Sequence, residues 1–482
     1  MRYHDCVRTL TVLPARRIIL IAVVILACSF ALNGCSSSGS GDRQAVFLIV
    51  VDTLRPDRLS CHGYDAHETP HIDALAQRGV RFTRAQSVAS WTVPSMGSMM
   101  TSLYPTQLGL VELPGPPGKH YQWQELRDQA DYTVSLVEIT LAEIFHEAGY
   151  RTAAFVDQPG LIESGNFFQG FDEAFFPSGV KKITRFDPDT LEYPKWAPFL
   201  RHAYKNDLQL IIEFAKWLAE RQDQRLFVWL HLLTPHWPYD PPAQFMANGE
   251  TARTDDQKLE ERFYNGEVRA TDDLIGRITE AIDDYIGIEN AVVVFTSDHG
   301  EGLGEHGMHD HGHSLHAEVL RVPLIMTAPS LPKQRTVDVD VRTIDIMPTI
   351  LDLVGIEGVI QPAFEGTSLV PMIDDIESTL PVFSEAMLYG STERSLSSGE
   401  FKLMFDEQGQ RFRLFDVSKD PAEIDDVAHR HPERTDRLRD ALATIHDELV
   451  VDRQRRAGGE AEEPAHRKER MLRALRALGY VR

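Results

Sequence analysis

Short apolar, β-branched runs alternate with amphipathic stretches along this 482-residue chain, and this alternation leaves few possible folds. The runs at 45–51 (AVFLIVV) and 291–295 (AVVVF) are typical of strands that are buried on both faces of a parallel sheet. We predict further strands at 151–156 and 225–233, and helices at 69–79, 136–148, 206–220 and 264–284. Strands that alternate with helices predict an α/β fold, with a mostly parallel central sheet flanked by helices.

The pattern changes after about residue 370. Short strand candidates at 381–385, 400–406 and 410–416 are separated by polar turns, and a helical stretch follows at 432–449. We therefore predict a large catalytic domain over 45–370 and a small C-terminal α+β subdomain over 371–452. Residues 453–482 are predicted to form a charged tail with one amphipathic helix near 471–478.

The N-terminus has the composition of a targeting segment. Arg16 and Arg17 precede an apolar run at 18–32, which is shorter than the roughly 20 residues that a membrane span requires. The run ends at Leu32-Asn33-Gly34-Cys35, which resembles a bacterial lipobox, and a Ser/Gly-rich stretch follows. This pattern predicts a lipoprotein signal peptide at 1–34, lipid on Cys35 and a flexible tether at 35–44. A plain cleaved signal peptide and a short anchor helix are the alternatives.

The net charge and the cysteine content indicate which partners and which cellular location are expected. A formal net charge of −23 repels nucleic acid and disfavours a nucleic-acid-binding function. Of the four cysteines, two lie in the predicted signal peptide and Cys35 would carry lipid, so Cys61 has no partner for an internal disulfide. We expect an exported protein held at a membrane of the bacterial cell envelope by its lipid anchor.

Three segments place polar side chains at the ends of predicted elements. Asp52 follows the first strand, Asp298 and His299 follow the strand at 291–295, and Thr92 opens a helix that carries Pro94 in its first turn. The carboxyl ends of parallel strands meet at one edge of a sheet, where ligands bind. Carboxylate and imidazole suit a divalent cation, and a helix N-terminus favours an anion. The alternatives are that Asp52 and Thr92 are helix caps and that the Asp-His pair belongs to a capped turn.

Five stretches of this chain resemble the sulfatase family of the alkaline-phosphatase superfamily. They are VDTLRPDRLSCHGY at 51–64, TPHIDALAQRGVRFTRAQSVASWTVPSMGSMMTSLYPTQLG at 69–109, HLLTPHWPYDPP at 231–242, FTSDHGEGLGEHGMHDHGHSLHAEVLRVPLI at 295–325 and FRLFDVSKDPAEIDDVA at 412–428. They follow the order and spacing of the family from about residue 45 to 450. The resemblance implies a metal-dependent enzyme that acts on sulfate or phosphate esters.

The resemblance also implies roles for single residues. It makes Asp52, Asp298 and His299 metal ligands, and it makes Thr92 the nucleophile that also touches the metal. His236 and His311 would contact the ester group, with His313 as an alternative to His311 in binding the substrate. His231 and His306 are further candidates. The six histidines between 299 and 316 fit a second metal or a polar loop.

Other polar and aromatic residues in these stretches have simpler interpretations. Arg55, Asp57 and Arg58 are predicted to form a polar turn, and Trp237 and Tyr239 either line the pocket or pack in the core.

Two departures from the family pattern shape the expected chemistry. Well-known sulfatases convert Cys or Ser in a Cys/Ser-x-Pro-Ser-Arg frame to formylglycine, whereas this chain has Thr92-Val93-Pro94-Ser95-Met96. Thr53 stands where relatives carry a second acid. Formylglycine is therefore disfavoured, and the pattern resembles threonine-using relatives that transfer phosphoethanolamine or phosphoglycerol groups.

We thus expect a hydrolase that forms a covalent Thr92 ester and uses a divalent metal, with Zn²⁺, Ca²⁺, Mn²⁺ and Mg²⁺ all open. The substrate would be an ester of a small molecule, a glycan or a lipid head group. A phospho-group transferase and a catalytically inactive binding lipoprotein are the alternatives.

Overall fold

The computed structural model describes residues 44–111, 138–163, 166–177, 183–184, 202–246, 257–356, 365–374, 380–386, 388 and 392–457. The predicted signal peptide, Cys35 and almost all of the tether lie outside these residues, as does the predicted helix near 471–478. Among the described residues, no helix has both the length and the apolar character needed to cross a membrane.

A nine-stranded sheet forms the centre of the fold, in the order β11-β2-β10-β7-β1-β6-β3-β4-β5. Neighbouring strands pair in parallel except around β10 and between β4 and β5. The strands are β1 (Ala45–Val51), β2 (Val80–Gln86), β3 (Arg151–Val156), β4 (Glu173–Phe175), β5 (Ile183–Thr184), β6 (Leu226–Leu232), β7 (Ala291–Ser297), β10 (Leu324–Thr327) and β11 (Arg335–Arg342). The predicted α/β fold with a mostly parallel sheet is confirmed.

Helices cover both faces of this sheet. They are α1 (Pro70–Arg78), α2 (Thr92–Thr101), α3 (Pro105–Leu108), α4 (Leu141–Glu147), α5 (Pro159–Glu163), α6 (Ala203–Ala219), α7 (Gln257–Tyr285), α8 (Ala317–Leu320), α9 (Ile346–Leu353) and α10 (Val370–Asp374). Alternate residues of β1 enter two separate cores. Val46, Leu48 and Val50 pack on the side of α2 and α9, and Phe47 and Ile49 pack on the side of α6 and α7. Burial on both faces explains why β1 has no polar residue.

The C-terminal region forms a small antiparallel sheet in the order β12-β13-β14-β15, with one long helix against it. Its elements are β12 (Val382–Ser384), β13 (Glu393–Ser398), β14 (Phe401–Asp406), β15 (Arg411–Asp416) and α11 (Pro432–Ala457). The helix is longer than predicted, and β13 was not predicted because its sequence ERSLSS is largely polar.

A two-stranded ribbon, β8 (Gly302–Leu303) with β9 (His309–Asp310), follows β7 and lies in the histidine-rich segment.

Candidate active site

The register of the central strands brings four strand ends to one edge of the sheet. Val51 lies opposite Leu232 of β6 and Ser297 of β7, and Val156 of β3 lies opposite His231 of β6. The residues that follow these strands therefore share one edge. Asp52, Asp298 and His299, which are far apart in the chain, meet there through this register.

Asp52, Asp298 and His299 form a buried cluster with unsatisfied ligand atoms. Asp298 Oδ1 accepts hydrogen bonds from the N–H groups of Thr53 (3.2 Å) and His299 (2.8 Å), whereas its Oδ2 has no hydrogen-bond partner. Asp52 Oδ1 also lacks one. These two free oxygens lie 3.4 Å (Asp298) and 3.6 Å (Asp52) from His299 Nε2.

The chemistry of this cluster fits a metal site. Buried carboxylate oxygens without partners are costly, and a divalent cation would satisfy both of them. The three residues have ligand atoms close enough to hold one metal ion.

The protonation of the cluster agrees with this interpretation. Burial and the charge of Asp52 raise the pKa of Asp298 well above its ordinary value. Burial also acts to raise the pKa of Asp52, but His236, His231 and His299 outweigh it and hold this pKa below its usual range. The two carboxyl groups thus have pKa values shifted in opposite directions, as expected for two acids that face each other without a cation.

His299 is neutral and correctly oriented to be a ligand. Burial, reinforced by the charge of His311, lowers its pKa to about 3. Its Nδ1–H donates to the carbonyl oxygen of Gly300 (2.9 Å), so the lone pair of Nε2 points into the cluster.

Thr92 is the first residue of α2, and its hydroxyl borders the cluster. Its Oγ1 lies 3.2 Å from His299 Nε2. The N-cap residue is Trp91, without a side-chain capping bond, so the alternative that Thr92 is only an N-cap does not hold. Ser95 Oγ donates to the carbonyl oxygen of Asp298 (2.6 Å) and fastens the start of the helix to the end of β7.

Gln158 is a site residue that our motif analysis missed. Its Nε2 donates to Asp52 Oδ2 (2.6 Å) and lies 3.4 Å from Thr92 Oγ1. Gln158 follows β3 by two residues, so the strand-end rule that selected Asp52 and Asp298 would also have selected this position.

His311 lies beside the cluster in a charged network. Its ring centroid is 4.5 Å from that of His299 and 5.0 Å from that of His236. Its Nδ1 contacts Glu301 Oε1 (3.1 Å) and Asp310 Oδ1 (2.8 Å). Burial acts to lower its pKa, but Asp310 and Glu301 raise it well above the ordinary value, which favours the protonated ring.

Glu301 is the second residue that sequence analysis missed. It is fully buried, and its Oε2 accepts a hydrogen bond from the hydroxyl of Tyr239 (3.1 Å). Glu301, Asp310 and His311 also have ligand atoms close enough to hold a metal ion.

His236 and Trp237 lie on the loop after β6. His236 is half-buried, and its Nδ1 contacts the carbonyl oxygen of Trp237. Trp237 is 52% exposed, whereas Tyr239 is buried. Trp237 is therefore not a core residue, and Tyr239 packs inside the fold.

The remaining histidine candidates occupy different places. His231 is buried with its Nε2 3.8 Å from Asp52 Oδ2. His306 stacks on His316 with a centroid distance of 3.7 Å, and His309 contacts Glu260 (2.8 Å). His313 is half-buried, two residues beyond His311. Within the described part of the chain, the second possible metal group includes one of the six histidines, His311, so the six do not form a single cluster.

The turn after β1 has the predicted polar character. Arg55 donates to Asp57 (2.8 Å) and to Glu305 (2.8 Å), and Pro56–Arg58 form a 3-10 turn. Arg55 and Asp57 thus pair with each other rather than with the cluster of Asp52, Asp298 and His299.

A mostly parallel α/β sheet, with a carboxylate–imidazole cluster and a helix-borne hydroxyl at its carboxyl edge, defines the class of this protein. The Sulfatase family model matches residues 44–356, and the model for the C-terminal part of N-sulphoglucosamine sulphohydrolase matches residues 304–450. The chain belongs to the sulfatase family.

Named relatives and a solved structure agree with this assignment. An ulvan-active sulfatase of Formosa agariphila is 26% identical over 379 residues, covering 74% of this chain and 70% of the relative. An arylsulfatase of Clostridium perfringens is 23% identical over 471 residues, covering 82% and 93%. A structure solved in complex with its substrate, D-glucosamine-2-N,6-O-disulfate, has a TM-score of 0.67 at 18% identity, covering 85% of this chain and 99% of that one.

Proposed function

We propose that this protein hydrolyses sulfate esters, with Thr92 as the nucleophile. The observation that carries the proposal is the contact of Thr92 Oγ1 with His299 Nε2 (3.2 Å), beside two buried carboxylate oxygens that lack partners. Asp52, Asp298 and His299, with the Thr92 hydroxyl, would hold a divalent cation. Such a cation lowers the pKa of a bound hydroxyl and withdraws charge from ester oxygens.

The reaction would proceed in two displacements. The Thr92 hydroxyl loses its proton as Oγ1 forms a bond to sulfur, and the bond between sulfur and the ester oxygen breaks. The leaving oxygen takes up a proton and departs as an alcohol. Water then attacks the sulfur, the Thr92 Oγ1–sulfur bond breaks, and hydrogen sulfate and the free threonine are released.

His311 and His236 would serve the leaving group and the ester oxygens. Glu301 and Asp310 face the Nδ1 of His311 and favour its protonated form. Its Nε2–H is then available to donate to an oxygen of the ester group. His236, whose ring centroid lies 5.0 Å away, would contact the same group from the loop after β6.

The substrate class that we infer is a sulfated glycan. The relatives named above include an ulvan-active sulfatase and a protein bound to a disulfated glucosamine. The exposed ring of Trp237, next to His236, offers an apolar face of the kind that packs against a sugar ring.

The experiment compares wild type with Thr92→Ala and Thr92→Ser on an aryl sulfate, sulfated glycans, a phosphate monoester and a phosphate diester. Thr101→Ala is the matched control, because Thr101 lies on the same buried helix and its hydroxyl donates to Gly97 O (2.7 Å), one turn back on that helix. Bound metal is measured in each sample.

We expect sulfate ester turnover that Thr92→Ala abolishes, that Thr92→Ser retains in part, and that Thr101→Ala leaves intact. Turnover of only phosphate esters would contradict the assignment of sulfate esters as substrates, but Thr92 would remain the proposed nucleophile. Transfer of the group to an added alcohol, with little hydrolysis, would favour the transferase alternative. No turnover together with no bound metal would favour the inactive binding protein.

We also infer that the protein is an exported lipoprotein, anchored through Cys35 to a membrane of the bacterial cell envelope. The lipobox-like sequence at 32–35 and the Ser/Gly-rich stretch after it support this inference.

A further inference from the structure

Gln158 links the proposed nucleophile to the cluster of Asp52, Asp298 and His299 through one amide group. Its Nε2 lies 2.6 Å from Asp52 Oδ2 and 3.4 Å from Thr92 Oγ1. An amide nitrogen carries two hydrogens, so one can be donated to the carboxylate and the other to the hydroxyl oxygen. The side chain is buried, and no motif in the sequence marks it.

The orientation of this amide is set by the backbone next to it. Gln158 Oε1 accepts the N–H of Gly160 (2.6 Å), so an exchange of the amide oxygen and nitrogen would bring two donors together. The carbonyl oxygen of Gln158 accepts the N–H groups of Leu161 and Ile162, both at 3.1 Å, which fixes the residue at the start of α5. Leu161 and Ile162 are buried in the core.

The second contact of Thr92 cannot take the place of this donor. His299 donates from Nδ1 to Gly300 O, so its Nε2 facing Thr92 Oγ1 is an acceptor. Among the described contacts of Thr92 Oγ1, Gln158 is thus the one that offers an N–H. A lysine or arginine at this point would repel a cation in the cluster, whereas a neutral amide can donate without competing with it.

We propose that Gln158 donates a hydrogen bond to Thr92 Oγ1 and holds this oxygen in place beside Asp52 as it attacks the ester. The inference rests on the proposed function, in which Thr92 is the nucleophile. A donor aimed at an oxygen that gains negative charge in a buried site stabilises the transition state more than the ground state. Its loss should therefore lower kcat and leave KM nearly unchanged.

The test uses Gln158→Leu, which keeps the size of the side chain and removes both amide contacts. Gln169→Leu is the matched control, because Gln169 is also a buried glutamine but its Nε2 donates to Glu138 O (2.7 Å). Thr92→Ala is the reference for complete loss. For each metal-reconstituted protein we would measure kcat and KM, metal content, melting temperature and the binding of orthovanadate by thermal shift.

We expect Gln158→Leu to lower kcat about 10- to 100-fold, to change KM less than about twofold and to weaken vanadate binding about 10-fold. Metal content should equal that of wild type, and Gln169→Leu should keep the wild-type kcat.

The proposal is overturned if Gln158→Leu has an unchanged kcat, a raised KM at constant kcat, or less bound metal than wild type. It is also overturned if Gln169→Leu loses as much kcat as Gln158→Leu. If Thr92→Ala keeps full activity, the proposed function fails. If Thr92→Ala is inactive and Gln158→Leu is normal, only the role of Gln158 fails. Where no ester is turned over, equal vanadate binding by wild type and Gln158→Leu overturns the inference.

Discussion

Thr92 carries its hydroxyl on a β-branched carbon at the first turn of a fully buried helix. β-Branching restricts χ1 to few rotamers, so the position of Oγ1 is set by the backbone more firmly than in a serine. Ser95, one turn along, ties the same helix to the carbonyl oxygen of Asp298. The relation between the hydroxyl and the cluster is therefore built into the helix itself.

Trp237 provides a test of substrate class. We expect Trp237→Ala to raise KM for a sulfated glycan about 10-fold and to change KM for a small alkyl sulfate little, because only a sugar ring has a face to pack against the indole. Steady-state kinetics on both substrates measure this difference. Ile212→Ala is the control, since Ile212 is similarly exposed (47%) but lies on α6. Equal effects on the two substrates would contradict the glycan assignment.

Some residues of the candidate site could be predicted from the sequence, and others could not. Asp52, Asp298 and His299 could be selected because each follows an apolar run, and strand ends converge by geometry. Gln158, two residues after β3, could have been selected by the same rule, whereas Glu301 is a carboxylate in a polar loop and has no distinctive pattern. Their roles depend on how far each side chain reaches across strands, which the register determines and the local sequence does not.

At the level of elements, the central strands were predictable and their neighbours were less so. β1, β3, β6 and β7 are continuous apolar runs, and they lie close to the predicted positions. The antiparallel insertion of β10 between β2 and β7 was not predicted, because strand order depends on packing between distant segments. The same applies to β13, whose polar sequence becomes a strand through its pairing with β12 and β14.

Helix α6 holds the loop that carries His236. The carboxylate of Asp207 accepts hydrogen bonds from the N–H groups of Leu233 (3.1 Å) and Thr234 (2.9 Å) and from the Thr234 hydroxyl (2.7 Å). We expect Asp207→Ala to lower the free energy of unfolding by about 2–4 kcal/mol, because two buried N–H groups lose their acceptor. It should also lower kcat, since the loop that carries His236 loses its anchor.

Chemical denaturation and steady-state kinetics test this prediction. Asp207→Asn keeps one of the two acceptor oxygens and places an NH2 group opposite the other donor, so it should lie between wild type and the alanine variant in both measurements. Equal stability of the alanine and asparagine variants would contradict it.

A buried ion pair joins the small sheet to the segment that follows the β8–β9 ribbon. Glu423 accepts bonds from Lys402 Nζ of β14 (2.9 and 3.0 Å) and contacts His316 Nδ1 (2.9 Å). Burial acts to raise the pKa of Glu423, but Lys402 and His316 lower it to about 2, from an ordinary value of 4.5.

A carboxyl group with a lowered pKa stabilises the fold above its unfolded pKa, and this contribution is lost as the pH falls from about 4.5 towards 2. We expect Glu423→Gln to be less stable than wild type at pH 7 by about 3 kcal/mol. This difference in the free energy of unfolding should become smaller as the pH falls from about 4.5 towards 2. Denaturation curves at several pH values measure it, with Glu433→Gln, an exposed residue of α11, as the control. A stability difference that does not depend on pH would contradict the lowered pKa of Glu423.

At the scale of the whole molecule, the proposed lipid anchor determines where the enzyme works. We expect Cys35→Ser, expressed in a bacterium with its signal segment, to lose lipid and to leave the membrane fraction, because one acylated cysteine supplies the attachment. Fractionation and mass spectrometry of the N-terminal peptide test this. Cys61→Ser is the control, and it should stay with the membrane. A Cys35→Ser protein that remains in the membrane fraction would point instead to an uncleaved anchor helix.

The parallel pairing of β1 also has a consequence for how the chain acquires its structure. Its two partners, β6 and β7, follow it by roughly 180 and 245 residues in the chain, so β1 leaves the ribosome long before either exists. Contacts of such high sequence separation form slowly, and a lone apolar strand invites aggregation while it waits. The cluster of Asp52, Asp298 and His299 cannot form until residue 299 has been synthesised. Nascent chains that end before residue 299 therefore cannot contain the candidate metal site, even though β1 and Asp52 are already present.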